Sequence, residues 1–323
     1  MKLIVLGGTG FIGRNLVNSL VKRKLKITAT YHNKLPFDLN NYKYINWIKI
    51  DLLDNLSTLK LLSKYDTIIN CAAISSGASD IVNTPLIHLY KNLVINTNVA
   101  ESINSINPKK LIFISSSVVY PDSSHKMKED NFINEYSEVY RSVGNMKAMS
   151  ENILDLTLKY NINIKNKFIY ILRPSNLYGP YDKFQDGLSK VIPALISRAF
   201  REPELLKVWG DGFDSRDFLY IDDFISAVKL ILFDNKYDAS NSNEINIFNI
   251  SSSNNITINR IAKIIQKIVN NNSNIEYDSY GYSTIKIRKI SNTKFIKSYN
   301  WSVETKLKDG LHKTIDWFKG SNL

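Results

Sequence analysis

Lys2-Leu3-Ile4-Val5-Leu6-Gly7-Gly8-Thr9-Gly10-Phe11-Ile12-Gly13-Arg14 is the stretch on which the fold turns. Leu3–Leu6 read as a short buried strand, and Leu16, Val17, Leu20 and Val21 beyond it recur at helical spacing. Between them Gly7, Gly10 and Gly13 stand three apart. Gly7 lets the chain turn tightly, Gly10 lets the backbone approach a ligand with no Cβ in the way, and Gly13 lets the helix pack close to the strand. The helix start at Phe11 and Ile12 then offers unpaired N–H groups and the positive end of a dipole, which suits the pyrophosphate of a dinucleotide.

Working outward, strand-like runs recur at Leu3–Leu6, Lys26–Thr30, Tyr44–Ile50, Thr67–Cys71, Lys110–Ile114 and Phe168–Leu172, with helical stretches between most of them. Alternation of this kind predicts an α/β fold with a doubly wound parallel (Rossmann) sheet over residues 1–172. After Arg173-Pro174 the chain is broken by Pro180, Pro193, Pro203 and the Gly210–Gly212 turn, which predicts a smaller C-terminal substrate lobe over 173–323. Segments near 217–252 are expected to return to the first unit, with Glu244–Ile250 a strand and Thr257–Val269 a helix. Asn-rich stretches at Ala239–Asn243 and Asn270–Asn274 read as surface loops.

Composition narrows the function classes. The 323 residues are 44% hydrophobic, enough for a large core, and a net charge of +12 arises from 42 basic against 30 acidic residues without a dense Lys/Arg run. A scattered excess of this kind argues against nucleic-acid binding and suits an anionic small-molecule partner. A single cysteine, Cys71, excludes an intramolecular disulfide, and four dispersed histidines give no metal site. No stretch approaches the ~20 apolar residues of a membrane span, and the apolar N-terminal run is a strand rather than a signal peptide. The expectation is a cytoplasmic protein with no membrane partner.

In an open α/β sheet the ligand lies at the carboxyl ends of the strands. The second strand ends in Thr30-Tyr31-His32-Asn33-Lys34, without the acid that holds an adenosine ribose 2′-hydroxyl. Arg14 and Lys34 could pair with a 2′-phosphate, so NADP is favoured over NAD. Asp51 and Leu52 end the third strand near the adenine, and Ala72 and Ala73 after the fourth let a cofactor lie against the backbone. The fifth runs into Ser115-Ser116-Ser117-Val118-Val119-Tyr120-Pro121, hydroxyls where a sugar would meet a nicotinamide.

The glycine stretch, Asn70-Cys71-Ala72-Ala73, Ser115–Pro121, Arg173-Pro174-Ser175-Asn176-Leu177-Tyr178-Gly179-Pro180, Val191-Ile192-Pro193-Ala194-Leu195, and Trp209-Gly210 through Arg216-Asp217-Phe218-Leu219-Tyr220-Ile221-Asp222-Asp223 together resemble the extended short-chain dehydrogenase/reductase (NAD-dependent epimerase/dehydratase) family. The resemblance spans nearly the whole chain and is strongest to the branch that epimerises and reduces GDP-4-keto-6-deoxymannose. It implies a catalytic Ser, Tyr and Lys. Ser116 falls on the serine, and Lys147, followed by Glu151, on a lysine that also binds the nicotinamide ribose. The tyrosine position, four before the lysine, is Val143, which cannot exchange a proton. Tyr140 is the candidate replacement; on a continuous helix it would lie on one face with Lys147, with a rise of ~10 Å between them.

For the substrate the resemblance implies that Ser116 and Asn176 bind the sugar or phosphate, Val191 and Trp209 flank the base, and Arg198 and Arg216 take the diphosphate, with a GDP-sugar favoured. Lys190 and Val118 stand where that branch carries its epimerising His and Cys, so epimerisation is disfavoured. Lys190 is then expected to be a phosphate-binding or solvated lysine. A homodimer through the Asn92–Ile103 and Val143–Lys147 regions is implied. The expected function is NADP-dependent 4-keto reduction of a GDP-linked deoxysugar or heptose without epimerisation. The alternatives are a catalytically silent homologue binding NADP and a nucleotide sugar, and a nucleotide-sugar epimerase.

Overall fold

A computed structural model describes residues 1–33, 43–75, 77–106, 108–160, 168–185, 189–234, 244–269, 272–278 and 286–321. Its first elements are β1 (Leu3–Leu6), α1 (Phe11–Val21), β2 (Ile27–Tyr31), β3 (Ile45–Lys49), α2 (Asn55–Leu62), β4 (Thr67–Asn70), α3 (Ala78–Asn83), α4 (Tyr90–Ile106), β5 (Lys110–Ile114), β6 (Ser123–Met127) and α5 (Arg141–Tyr160). There follow β7 (Phe168–Pro174), β8 (Asn176–Tyr178), α6 (Val191–Arg201), β9 (Leu205–Trp209), β10 (Ser215–Tyr220), α7 (Ile221–Leu232), β11 (Glu244–Ile250), β12 (Asn255–Thr257), α8 (Ile258–Val269), β13 (Asn274–Asp278), β14 (Arg288–Ile290), α9 (Thr293–Tyr299) and α10 (Leu307–Gly320).

Seven strands in the order β11-β7-β5-β4-β1-β2-β3 form the central sheet, and every pair in it is parallel. Alternation along each strand feeds two cores. Leu3, Val5, Ile69, Ile112 and Tyr170 join the core containing α1 and α7, whereas Ile4, Leu6, Ile68, Leu111 and Ile169 join the core containing residues of α2, α4 and α5. Both faces of the sheet are therefore covered, and its inner strands are apolar on both sides, as a parallel sheet requires.

Strand order reverses direction between β1 and β4, and the crevice at such a switch point is where open α/β sheets bind ligands. The crevice is tight: a Cβ on Gly7 would lie 2.7 Å from Cα of Ala72. Of the segment expected to return to the first unit, β11 joins the central sheet at its edge and α7 packs on α1, while β10 pairs with β8 and β12 in a separate three-stranded sheet. That sheet and the β9–β13 and β6–β14 pairs are separate from the central sheet; α6 and α8 pack on β9, and α10 on β10 and α8. Asn15 of α1 donates to the Pro180 carbonyl at 2.9 Å, joining the layers. Among the described residues no helix is long and apolar enough to cross a membrane, and no group of three or more His, Cys, Asp or Glu is placed to hold a metal.

Candidate active site

The glycines of the first turn have separate physical reasons. Gly7 sits at φ +69°, and a Cβ on Gly13 would lie 2.2 Å from the Gly7 carbonyl oxygen, so both are demanded by the chain's own packing. A Cβ on Gly10 would meet only the Gly7 oxygen at an ordinary 3.4 Å; the space it leaves faces outward, where a ligand could use it. Gly8, unremarked in the sequence reading, packs against Ala29 and Trp47, whose atoms would lie 2.8 and 3.0 Å from its Cβ. α1 begins with no side-chain cap and no acid in its first turn, leaving an electropositive start at Phe11 and Ile12. These features fit a dinucleotide pyrophosphate.

The Arg14 guanidinium lies 4.2 Å from the centre of the Tyr181 ring, and Asn15 beside it is bonded to Pro180, the residue before Tyr181. Lys34 lies outside the described residues. Asp51 Oδ1 accepts from Leu53 N at 3.0 Å, and Oδ2 lies 3.9 Å from His32 Nε2, with both side chains exposed. The buried Leu52 offers its carbonyl to Asn98 at 2.9 Å. Ala72 N donates to Asn70 Oδ1 at 3.1 Å, and Ala73 is exposed.

Around the end of β5, Lys147 Nζ donates to the Ile114 carbonyl at 2.9 Å and lies 5.1 Å from the Phe113 ring centre. Burial pulls its pKa down to about 8, against the opposing pull of Glu151. Beside it, burial pushes the Cys71 thiol up to about 12, leaving an inert, neutral side chain. Ser116 Oγ accepts from Val118 N at 3.3 Å. Beneath these residues Glu151 is gripped by Arg173, through Nε to both carboxylate oxygens at 3.1 and 3.2 Å and through Nη2 at 2.6 Å. Ser115 Oγ donates to the same carboxylate, and Arg173 Nη1 donates to Tyr120 Oη at 2.7 Å, which donates to Asn249 at 2.8 Å. This buried, mutually satisfied network fixes the ends of β5, β7 and β11 relative to α5. Sequence reading named Glu151 only as a follower of Lys147 and missed its Arg173 partner.

Tyr140 does not lie on the helix of Lys147. A 3₁₀ turn over Glu138–Tyr140 precedes α5, which begins at Arg141, so the continuous-helix geometry expected for Tyr140 and Lys147 does not hold. Its ring instead lies 5.8 Å from the guanidinium carbon of Arg288.

On the lobe side, Asn176 is exposed and donates to the Asp217 carbonyl at 3.0 Å. Lys190 caps the start of α6, pairs with Asp182 at 3.4 Å and lies 4.7 Å from the Phe11 ring centre, so it bridges toward the glycine turn. Val191, next to it, is half-buried. Arg198 is buried, stacks 4.1 Å from the Trp209 ring centre and donates to the Lys207 carbonyl at 3.1 Å. Arg216, 7% exposed, holds Asp214 at 3.2 Å and the Ser215 carbonyl at 3.1 Å.

Arg288 is the residue the sequence reading missed. It is also 7% exposed, yet its Nε and Nη2 make no hydrogen bond among the described residues, and the Asp122 carboxylate stands 4.0 Å away. Burial and the charge of Arg216 pull its pKa down to about 10, against Tyr140 and Asp122, so it stays charged at neutral pH. A period-2 signal was available: Arg288 and Ile290 alternate with Lys289, and the outer two are buried.

A doubly wound parallel sheet with a glycine-lined helix start at its switch point defines a Rossmann-type protein. The chain belongs to the NAD dependent epimerase/dehydratase family, whose profile residues 3–251 match. Its relatives include GDP-L-fucose synthase of Sinorhizobium fredii, 26% identical over 98% of this chain and 95% of that protein. Another is UDP-N-acetyl-alpha-D-glucosaminuronate decarboxylase of Bacillus cytotoxicus, 28% identical over 98% of each. Among solved structures it is similar to UDP-glucuronic acid 4-epimerase of Bacillus cereus in complex with UDP-glucuronic acid and NAD, with a TM-score of 0.83, 25% identity and 99% of each chain covered. Relatives of this chain are thus enzymes that modify nucleotide-linked sugars.

Proposed function

We propose that this protein is an NADP-dependent nucleotide-sugar reductase acting on the 4-keto group of a GDP-linked deoxysugar or heptose. Residues 1–172 would hold the dinucleotide and residues 173–323 mainly the sugar nucleotide. The observation that carries the reading is Arg288: a buried guanidinium whose Nε and Nη2 make no hydrogen bond among the described residues, with Asp122 4.0 Å away and the buried Arg216 close by, has donors to offer an anion. A diphosphate supplies the charge and the acceptors that would repay that burial.

The dinucleotide would lie across Gly7, Gly10, Phe11, Ile12 and Gly13, with Asp51 and Leu52 toward its adenine and Ala72 and Ala73 along its length; bound there, it supplies hydride. NADP is preferred because β2 ends in Tyr31-His32-Asn33 with no carboxylate. Lys147 would donate to the nicotinamide ribose, and Ser116 would hold the sugar's keto oxygen. Asn176 would meet the sugar, and Val191 and Trp209 would flank the base. Arg198, stacked on Trp209, would order that wall, while Arg216 and Arg288 would take the diphosphate. Reduction without epimerisation is supported by the site's other side chains: Val118 has no proton to move, and Lys190 is committed to Asp182 and Phe11.

The test is NADPH oxidation with a panel of GDP-, CDP- and UDP-linked 4-keto sugars. Turnover with a GDP sugar is the expected result. One specific observation, Val143 at the tyrosine position, favours a second reading in which the protein binds both ligands without turnover. Tight binding of NADPH and sugar with no redox change, reversed by Val143→Tyr, would establish it in place of the reductase.

A further inference from the structure

One turn of α5 before Lys147 lies a tyrosine that neither the resemblance nor the ligand sites account for. Tyr136 reaches α5 because residue 144 is glycine: a Cβ there would lie 2.6 Å from Tyr136 Cδ1 and 2.8 Å from the Val118 carbonyl oxygen. No left-handed backbone is involved at Gly144, so the glycine serves close approach alone. Val118 is the residue whose N–H is bonded to Ser116 Oγ at 3.3 Å. The Tyr136 ring and the Val118 carbonyl thus both lie against Gly144, the residue following Val143. Gly144, Lys147 and Glu151, spaced three and four apart, share one face of α5, and Tyr136 covers the N-terminal end of that face.

Its hydroxyl is not committed to the fold. Among the described residues the half-buried side chain makes one hydrogen bond, to Oδ1 of the exposed Asn134 at 3.3 Å. Burial first, and the negative charge of Glu151 second, push its pKa up, so at neutral pH it is a phenol with a proton to give. Tyr140 is differently placed, against Arg288.

We propose that Tyr136, its ring seated on Gly144 next to the Val143 that offers no hydroxyl, is the proton donor of this site. The proposal rests on the reductase reading. A reduced nicotinamide dinucleotide, when bound, would supply hydride to C4, so that a C–H bond forms, the C4=O π bond breaks and its electron pair passes to oxygen; there the Tyr136 O–H bond would break and an O–H bond form. The dinucleotide would leave oxidised, and the tyrosinate would recover its proton from water at the exposed Asn134 edge.

The experiment uses the full chain with the 4-keto sugar nucleotide that supports NADPH oxidation. Tyr136→Phe, which keeps the ring on Gly144, is expected to lower kcat by ~10²–10⁴-fold with KM little changed. Tyr160→Phe, at the exposed far end of α5, is expected to leave both unchanged. A second readout is independent of turnover: in protein labelled with 3-fluorotyrosine, the ¹⁹F resonance assigned by its loss in Tyr136→Phe shifts when the sugar nucleotide is added without dinucleotide. Wild-type turnover that survives Tyr136→Phe, or a Tyr136 resonance indifferent to the sugar, overturns the proposal while leaving the reductase reading intact. Absence of wild-type turnover with every sugar overturns that reading and the proposal with it.

Discussion

At the residue scale the site is built from charges held where water would ordinarily solvate them. Lys147 illustrates the sign of the effect. Its folded-state pKa is drawn down to about 8, below the ordinary lysine value that the unfolded chain keeps. Between those values the unfolded state binds more protons, so the stability contributed by this residue rises with pH. Thermal melting of the wild type, measured against Lys147→Met, is expected to improve from about pH 7 to about pH 10; a difference flat across that range would contradict the assignment. The same variant should lose about 1.5–3 kcal/mol of dinucleotide binding, the worth of a hydrogen bond to a charged group, read by calorimetry. Arg288 makes a paired prediction. Arg288→Met removes a buried guanidinium whose Nε and Nη2 make no hydrogen bond among the described residues and whose Asp122 partner is 4.0 Å away, so the ligand-free protein should melt no lower than wild type. Sugar-nucleotide affinity should fall by about 2–5 kcal/mol, and unchanged affinity would remove Arg288 from the diphosphate site.

At the scale of the element, the β1–α1 turn separates glycines that the packing demands from one that it does not. Gly13→Ala forces a Cβ to 2.2 Å from the Gly7 oxygen, whereas Gly10→Ala makes only a 3.4 Å contact. Gly13→Ala is expected to lower the melting temperature of the empty protein by an amount typical of overpacking, ~1–3 kcal/mol. Gly10→Ala should leave that temperature alone and weaken the dinucleotide. Equal damage to ligand-free stability in both variants would show that Gly10 serves the fold instead. Lys110 at the start of β5 shows how firmly this layer is tied. Its Nζ donates to the carbonyls of Ile231, Leu232 and Asp234 at 2.9, 3.3 and 2.9 Å, closing the end of α7 with a positive charge where the helix dipole is negative.

At the scale of the molecule, α4 and α5 pack together and leave Tyr90, Val94, Met149 and Leu156 exposed. We propose this face as the contact between two copies, which needs about 1,000 Å² or more of buried surface. Val94→Glu with Met149→Glu is expected to halve the mass seen by light scattering, and an already monomeric wild type would dispose of the idea. The sheet was legible because its evidence is local: glycines three apart, apolar strands and amphipathic helices each announce themselves within a dozen residues. What escaped was set by contacts between distant segments. The stacking partner of Arg14, Tyr181, lies far along the chain and is not visible beside it in the sequence. Tyr140 reads as helical until the 3₁₀ turn ends before Arg141. Arg288 sits in an unpromising basic stretch, and its meaning comes from Arg216 and Asp122 around it.

The attachment of α1 to the far lobe has a thermodynamic corollary. Asn15 and Arg14 tie the first helix to Pro180 and Tyr181, and Lys190 rests on Phe11. We propose that the affinities of the dinucleotide and the sugar nucleotide are coupled through these contacts, and coupling is reciprocal: whatever factor the first ligand confers on the second, the second returns to the first. Titrating each ligand with and without the other should give one shared factor in wild type, within the ~5–150-fold usual for such linkage. Asn15→Ala with Tyr181→Ala should bring it toward one, leaving two sites on one chain that no longer sense each other.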